Sequence, residues 1–260
     1  MTESEFNNIM NNRKNYSFSS LDYLDYLDYG DCKDSIILCN NNNMVLLYDS
    51  YKDRPIINYL VNDYIKFIDY LSNINGDIRI NFVNHNYINE LEKIGFVTLC
   101  EWMDYFNNDL PKTNINFTDY GKIEYLEINE CKLVSTLSKK CKNQSRGFDG
   151  ETEEWFSEWI SENKVIKIKD EKQIIGYCCI SIYSEGTTLW IREMAVDPNY
   201  QGKGNGKKLI EQALLYGIKN NAKKSFLAVD KLNKNAIGIY KKYGFIGKEE
   251  KGELQMIKYE

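Results

Sequence analysis

Apolar and polar positions along the chain alternate between strand-like and helix-like periods, with Gly, Pro and Asn marking the breaks. Leu21, Leu24 and Leu27 recur at i, i+3 spacing and predict a short packed helix, started by Ser19 or Ser20 and closed at Gly30. Ser35–Asp49 reads as a hairpin around the run Asn40–Asn43. Ile56–Leu71 is predicted as a helix and Ile78–Val83 as a strand. Tyr87–Ile94 is predicted as a short helix stopped at Gly95-Phe96, with a strand following to Phe106. Asn107–Asn114, polar and holding a proline, reads as a linker. It places one domain at 1–112 and a second at 113–260. In the second, Ile123–Ile128 reads as a strand, and Glu130–Cys141 and Thr152–Ile160 as helices. Lys164–Ile168 and Ile174–Tyr183 pair as a hairpin, and Thr188–Val196 is a strand. A helix over Lys207–Lys219 carries its apolar stripe on Leu209, Ile210, Ala213, Leu214 and Ile218. A strand at Ser225–Val229, a helix to Tyr243 and a final hairpin opened by Phe245 complete the pattern.

Composition narrows the function classes. The chain has 260 residues and is 43% hydrophobic, enough for a core, yet no apolar run is long enough to span a bilayer. The first ten residues lack the basic and apolar regions of a secretory signal. Seven cysteines without C-x-x-C spacing point to reduced thiols and a cytoplasmic setting. Adjacent Cys178 and Cys179 should face opposite sides of a strand. One histidine, His85, excludes a metal site built on several histidines and reads as a surface residue at a helix start. The net charge of -5 disfavours a broad nucleic-acid-binding face and is compatible with cationic amines.

Between the strand to Val196 and the following helix lies V-D-P-N-Y-Q-G-K-G-N-G-K, Val196 to Lys207. Glycines at 202, 204 and 206 permit backbone angles closed to other residues. Loop amides and a helix N-terminus aimed at one point make an anion cradle suited to a phosphate or diphosphate. The spacing G-x-G-x-G fails the dinucleotide fingerprint G-x-G-x-x-G. Lys208 stands where a Walker loop needs Ser or Thr. What remains is Q-x-x-G-x-G on Gln201, Gly204 and Gly206, or a plain glycine-rich turn. Downstream, N-x-x-A-x-x-x-Y-x-K-x-G-F is matched by Asn233, Ala236, Tyr240, Lys242, Gly244 and Phe245.

These two motifs, in this order, resemble those of the GNAT superfamily of N-acetyltransferases, over roughly Ile115 to the C-terminus. The resemblance implies the α/β (α+β) GNAT fold, a mixed, mostly antiparallel sheet flanked by helices, and an acyltransferase using acetyl-CoA without a metal. Met194, Ala195 and Val196 would polarise the thioester carbonyl through a backbone N–H. Gln201, Gly202, Lys203, Gly204, Asn205, Gly206 and Lys207 would hold the diphosphate, with Lys203, Lys207 or Lys208 adding charge. Asn233, Ala236, Tyr240 and Lys242 would complete the cofactor site. The pantetheine arm would run between that strand and Phe226–Val229. Tyr240 would be the general acid toward the leaving thiolate, and Glu193 is the candidate base. Direct transfer in a ternary complex is favoured over a cysteine acyl-enzyme. The loop Asn143–Phe156 would shape the acceptor pocket, with Phe148 and Trp155 as walls and Asp149, Glu151, Glu153 and Glu154 as acidic candidates. An acidic helix start explains Glu153 and Glu154 equally well.

The first half repeats the order of the second. Gly95-Phe96 falls under Gly244-Phe245, Lys93 under Lys242, Asn84 under Asn233, and Leu91 stands where Tyr240 is. The chain therefore reads as two tandem GNAT-like domains with a degenerate first copy, its cradle replaced by Lys52–Ile57, where Pro55 lacks an N–H. No cofactor site is expected there. The favoured activity is N-acetylation of a primary amine of a small molecule or peptide by a monomer or homodimer, with no nucleic acid and no membrane. The opposing class is a non-catalytic acyl-CoA sensor or partner-binding module.

Overall fold

The computed structural model describes all residues except 23–26, 51–54, 116–121, 143, 172 and 249–250, and divides into two units. One is Met1–Glu101 with Glu253–Glu260; the other is Trp102–Gly252. The first opens with α1 (Glu3–Asn12), begun by a capping box between Thr2 and Glu5. It continues through β1 (Phe18–Ser19), α2 (Tyr29–Cys32), β2 (Ile36–Asn41), β3 (Met44–Asp49), β4 (Ile56–Val61), α3 (Tyr64–Ser72), β5 (Ile78–Ile80), α4 (Ile88–Lys93) and β6 (Phe96–Asn107). Its sheet runs β2-β3-β4-β5, and the chain's last strand, Glu253–Lys258, lies between β5 and β6. Strands β4 and β5 are parallel. α3 and α4 bury Tyr64, Phe67, Leu71 and Leu91 against this sheet.

Several expectations for this unit are corrected. Ile56–Leu71, expected as one helix, is a strand and a helix. Ile57, Tyr59, Leu60 and Val61 are all buried, so the run is apolar on both faces and shows no helical period. Asn62 and Asp63 then break it. The Asp63 carboxylate accepts from the amides of Ile65 and Lys66 at 3.0 and 3.1 Å and starts α3 afresh. Asp63→Ala is expected to cost about 1 kcal/mol in stability, measured by denaturant unfolding. Because Ile56 and Ile57 belong to β4, the stretch Lys52–Ile57 precedes the strand rather than following it, and its residues 52–54 lie outside the described ones. Gly30 sits inside α2 rather than closing a helix, and Leu24 of the leucine stripe is likewise outside the described residues. His85 is not a surface residue; its Nε2 lies 3.3 Å from Glu101 and both side chains are largely buried.

The second unit holds β7 (Glu124–Tyr125), α5 (Cys131–Lys140), α6 (Glu153–Glu162), β8 (Lys164–Asp170), β9 (Gln173–Tyr183), β10 (Thr188–Val196), α7 (Asn205–Lys219), β11 (Lys224–Asp230), α8 (Lys234–Lys242) and β12 (Ile246–Gly247). The final strand, Glu253–Lys258, is β13. The sheet order is β7-β8-β9-β10-β11-β6, with β12 also on β6. Among the described residues of this unit, only β10 and β11 pair in parallel. This is a mixed and mostly antiparallel sheet with helices on both faces, the architecture that the resemblance implies. α5 and α6 cover one face, over Tyr177, Cys179 and Ala195. α7 and α8 cover the other, over Cys178, Leu189 and Ile191. Cys178 and Cys179 thus point to opposite faces, as strand alternation requires.

Asn107–Asn114 is no linker. Leu110 is fully buried, and Asn107 Nδ2 donates to the Thr113 hydroxyl and the Tyr243 carbonyl, both at 2.7 Å. Polar side chains that satisfy one another pack as well as apolar ones. The division between units falls at Glu101/Trp102, inside β6, rather than at 112/113. Nor does Phe245 open a final hairpin, because β12 pairs with β6 and β13 with β5.

Candidate active site

Strand β10 builds the site through a bulge. Its register on β9 slips between Ile191 and Glu193, leaving Arg192 as an extra residue. Ile191 faces the α7–α8 core. Beyond the slip, Glu193 and Ala195 stand opposite Cys179 and Tyr177 on the α5–α6 face. Arg192 also points there, its guanidinium 4.2 Å from the Trp155 ring centre. The bulge thus puts two consecutive side chains on one face, which a regular strand forbids.

Pairing of β10 with β11 covers only Thr188–Trp190 against Lys224–Phe226. Past Trp190 the two strands part, and the edge of β10 carrying Met194, Ala195 and Val196 faces a gap instead of a strand. Met194 and Val196 pack their side chains toward α7 and α8.

The cradle follows directly. Asp197, buried, accepts from the Asn199 amide at 2.9 Å and from Lys140 Nζ at 2.7 Å, tying the loop to the end of α5. Burial works to raise the Asp197 pKa, but Lys140 and the Asn199 amide outweigh it and hold the carboxyl below its usual range. Gln201 Nε2 donates to the Val196 carbonyl at 3.0 Å and also meets Gln144 Oε1. Gly202 and Gly204 both have positive φ, 72° and 84°, and a Cβ at either would project into open space. Gly204 is the N-cap of α7 and offers no side chain to its first turn. The first amides of a 15-residue helix are therefore left for an outside anion. Gly206 differs from the expectation: it lies within α7 without a positive φ. Asn205 Nδ2 donates to the Tyr200 carbonyl at 2.8 Å. The lysines are partly committed, Lys203 to the Asn199 carbonyl at 3.1 Å and Lys207 to Glu211 at 3.9 Å.

Across the gap, α8 carries the second motif. The Asn233 carboxamide oxygen caps this helix by accepting from the Ala236 amide at 3.1 Å, so that oxygen serves the backbone. Tyr240 is buried among the α7–α8 core. Burial, with a lesser push from Cys178, raises its pKa well above the ordinary phenol value. Lys242 is exposed in the last turn, where a cation suits the helix dipole. Gly244, at φ 80°, closes α8, as Gly95, at φ 93°, closes α4.

Glu193 is not a solvated strand carboxylate. Its Oε1 accepts from the Tyr177 hydroxyl and, at 3.4 Å, from Ser138; its Oε2 pairs with Arg192 at 3.3 Å. Burial first, and the Glu193 charge second, raise the Tyr177 pKa far enough to keep it a donor. Arg192 also reaches Glu151 at 3.3 Å. Trp155 and Phe148 are partly buried against the α5–α6 core, while Glu153 and Glu154 sit exposed in the first turn of α6. A second ion pair was not foreseen. Arg146 donates to buried Asp230 from Nε at 2.8 Å and from Nη2 at 2.6 Å. It borders a cavity of about 330 Å³ that Gln144, Ser145 and Asn233 also line. Burial raises the thiols of Cys32 and Cys141 to about 11 and also raises Cys178 and Cys179, which leaves these four without thiolate character near neutrality. No metal-binding cluster and no membrane-spanning helix occur among the described residues.

Residues 132–245 match the family model of the Acetyltransferase (GNAT) family. That segment is therefore similar in sequence to GNAT acetyltransferases. An uncharacterised N-acetyltransferase of Methanocaldococcus jannaschii is 32% identical over 40% of this chain and 50% of its own length. The peptidyl-lysine N-acetyltransferase YjaB of Salmonella typhimurium is 29% identical over 42% of this chain and 70% of its own. The spermine/spermidine N(1)-acetyltransferase of Bacillus subtilis is 27% identical over 36% and 69%. The chain thus spans half the length of the first of these relatives. In fold, a solved GNAT-family acetyltransferase from Colwellia psychrerythraea is similar over 100% of this chain and 98% of that one, with a TM-score of 0.52 and 10% identity.

Proposed function

We propose that the protein is an N-acetyltransferase that moves the acetyl group of acetyl-CoA to a primary amine of a small molecule or peptide by direct transfer. One observation carries the reading: the uncapped start of α7, reached through two glycines at positive φ, lies at the end of β10, where that strand has parted from β11. The residues fit the coenzyme. Amides of Gly202 through Lys207 would hold its diphosphate, and the open space at Gly202 and Gly204 leaves room for it. When bound, acetyl-CoA supplies the acetyl group as a thioester. A backbone N–H within Met194–Val196, facing the gap, would polarise the carbonyl. The Tyr240 hydroxyl would hold the proton for the departing sulfur. Glu193 would take the amine proton on Oε2, the oxygen it shares with Arg192. The seven cysteines all carry free thiols, which supports a cytoplasmic setting. The names of the peptidyl-lysine and spermine/spermidine relatives support an alkylamine acceptor.

The first unit is read as a degenerate copy that holds no coenzyme. Its strand sequence β2-β3-β4-β5-β13-β6 has the form of β8-β9-β10-β11-β6-β12 in the second, each with one parallel pair at the third and fourth positions. Asn84 caps its helical segment as Asn233 caps α8, and fully buried Leu91 takes the place of Tyr240. Where the second unit has its cradle, this one has Asn62-Asp63, with a carboxylate already on the helix amides. Tyr59, on β4, donates to the Phe82 carbonyl beyond β5 at 2.7 Å and fills the divergence of these strands. One coenzyme per chain is therefore expected by calorimetry; two would contradict the degenerate-copy reading.

The activity is tested by incubating the chain with acetyl-CoA and a panel of primary amines while following thiol release. Turnover with at least one alkylamine is expected. Coenzyme binding without turnover across the panel would instead support the acyl-CoA sensor.

A further inference from the structure

The α5–α6 face of β10 carries a cluster of which only Glu193 has a part in the transfer proposed above. Trp155 and Trp159 lie one helical turn apart on α6 and stack, with centres 5.2 Å apart and planes at 19°. Trp190 of β10 meets Trp159 edge-on at 5.8 Å. Into this wall the bulge drives Arg192, whose guanidinium carbon lies 4.2 Å from the Trp155 ring centre and 5.5 Å from that of Trp159. Two largely buried carboxylates, Glu151 and Glu193, each pair with it at 3.3 Å. The three tryptophans and Arg192 are only partly buried, so the cluster opens to solvent.

Indole faces backed by carboxylates attract an organic cation. We propose that this cluster is a subsite for the distal ammonium of a diamine or polyamine acceptor, and that Arg192 is the chain's own occupant, displaced when such an acceptor arrives. The inference rests on the acetyltransferase reading for its link to turnover, but not for binding. Glu193 is both a wall of this cage and the base proposed above, so a cation seated here would leave a second amine of the same molecule for transfer. Release of Arg192 also removes one partner of Glu193 Oε2, the oxygen proposed to take the amine proton. A single-amine substrate gains only one of these two interactions.

The test compares wild type, Arg192→Ala and Arg192→Lys, all checked for unchanged melting, in titrations with cadaverine followed by tryptophan fluorescence and calorimetry without coenzyme. Removing the occupant is expected to tighten cadaverine binding about tenfold. Arg192→Lys, which keeps a cation in the cage, is expected to bind like wild type. Adding Trp155→Ala to Arg192→Ala is expected to abolish the gain. Unchanged or weaker cadaverine binding in Arg192→Ala would overturn the proposal and make Arg192 a fixed tether. With acetyl-CoA present, the same tightening is expected to appear as a lower KM for cadaverine. Tightened binding without turnover by any of the chains would leave the cation site standing and count against the acetyltransferase reading instead.

Discussion

Gly204→Asp is expected to weaken coenzyme A binding by at least about 100-fold, measured by calorimetry. Two effects add. Gly204 has a φ of 84°, which costs an L-residue roughly 1–2 kcal/mol. The new carboxylate would also occupy the N-cap of α7 and repel a diphosphate at the amides it satisfies. Asp63 shows that arrangement already made in the first unit. Because a Cβ at 204 meets no atom within 4 Å, the fold itself should survive, and a small shift in melting temperature is expected. Affinity equal to wild type would remove the cradle from the account.

Tyr240→Phe is expected to lower turnover by about 10²- to 10³-fold while leaving the coenzyme dissociation constant nearly unchanged. The hydroxyl is the only group that substitution removes. Burial raises its pKa above the ordinary value of 10, so Tyr240 stays protonated through neutral and mildly alkaline pH. An alkaline loss of activity below about pH 10 should therefore come from another group. The linkage has one sign. The folded chain holds this proton more tightly than the unfolded chain, so the stabilising contribution is complete below the unfolded pKa and is lost as pH rises beyond it. Equal loss of binding and turnover in Tyr240→Phe would make the residue a packing group only.

The elements read correctly from sequence were those in which pattern and punctuation agree. β10, α7 and β11 stand close to where alternation, the glycine loop and the apolar stripe put them. Gly244 and Gly95 carry positive φ because each ends a helix. The misreadings have physical causes. Ile57, Tyr59, Leu60 and Val61 are all buried, so Ile56–Val61 has apolar positions on both faces and no helical period. The exchange that places β13 beside β5 and the second half of β6 beside β11 depends on pairings distant in sequence, which no local signal encodes. At the site, types and positions were legible but partners were not. Glu193 was visible as a carboxylate; the bulge that sets Arg192 beside it, and the Tyr177 and Ser138 hydroxyls that hold it, emerge only when β9 and α5 are in place. Arg146 lay in the loop read as the acceptor wall, but its partner Asp230 is 84 residues away.

The most direct measurement is a crystal structure of the full chain with coenzyme A. The account predicts one coenzyme per chain, its diphosphate within hydrogen-bonding distance of the amides between Gly202 and Lys207 and its thiol toward Tyr240. A diphosphate bound at any other surface, or a second coenzyme in the first unit, would contradict it.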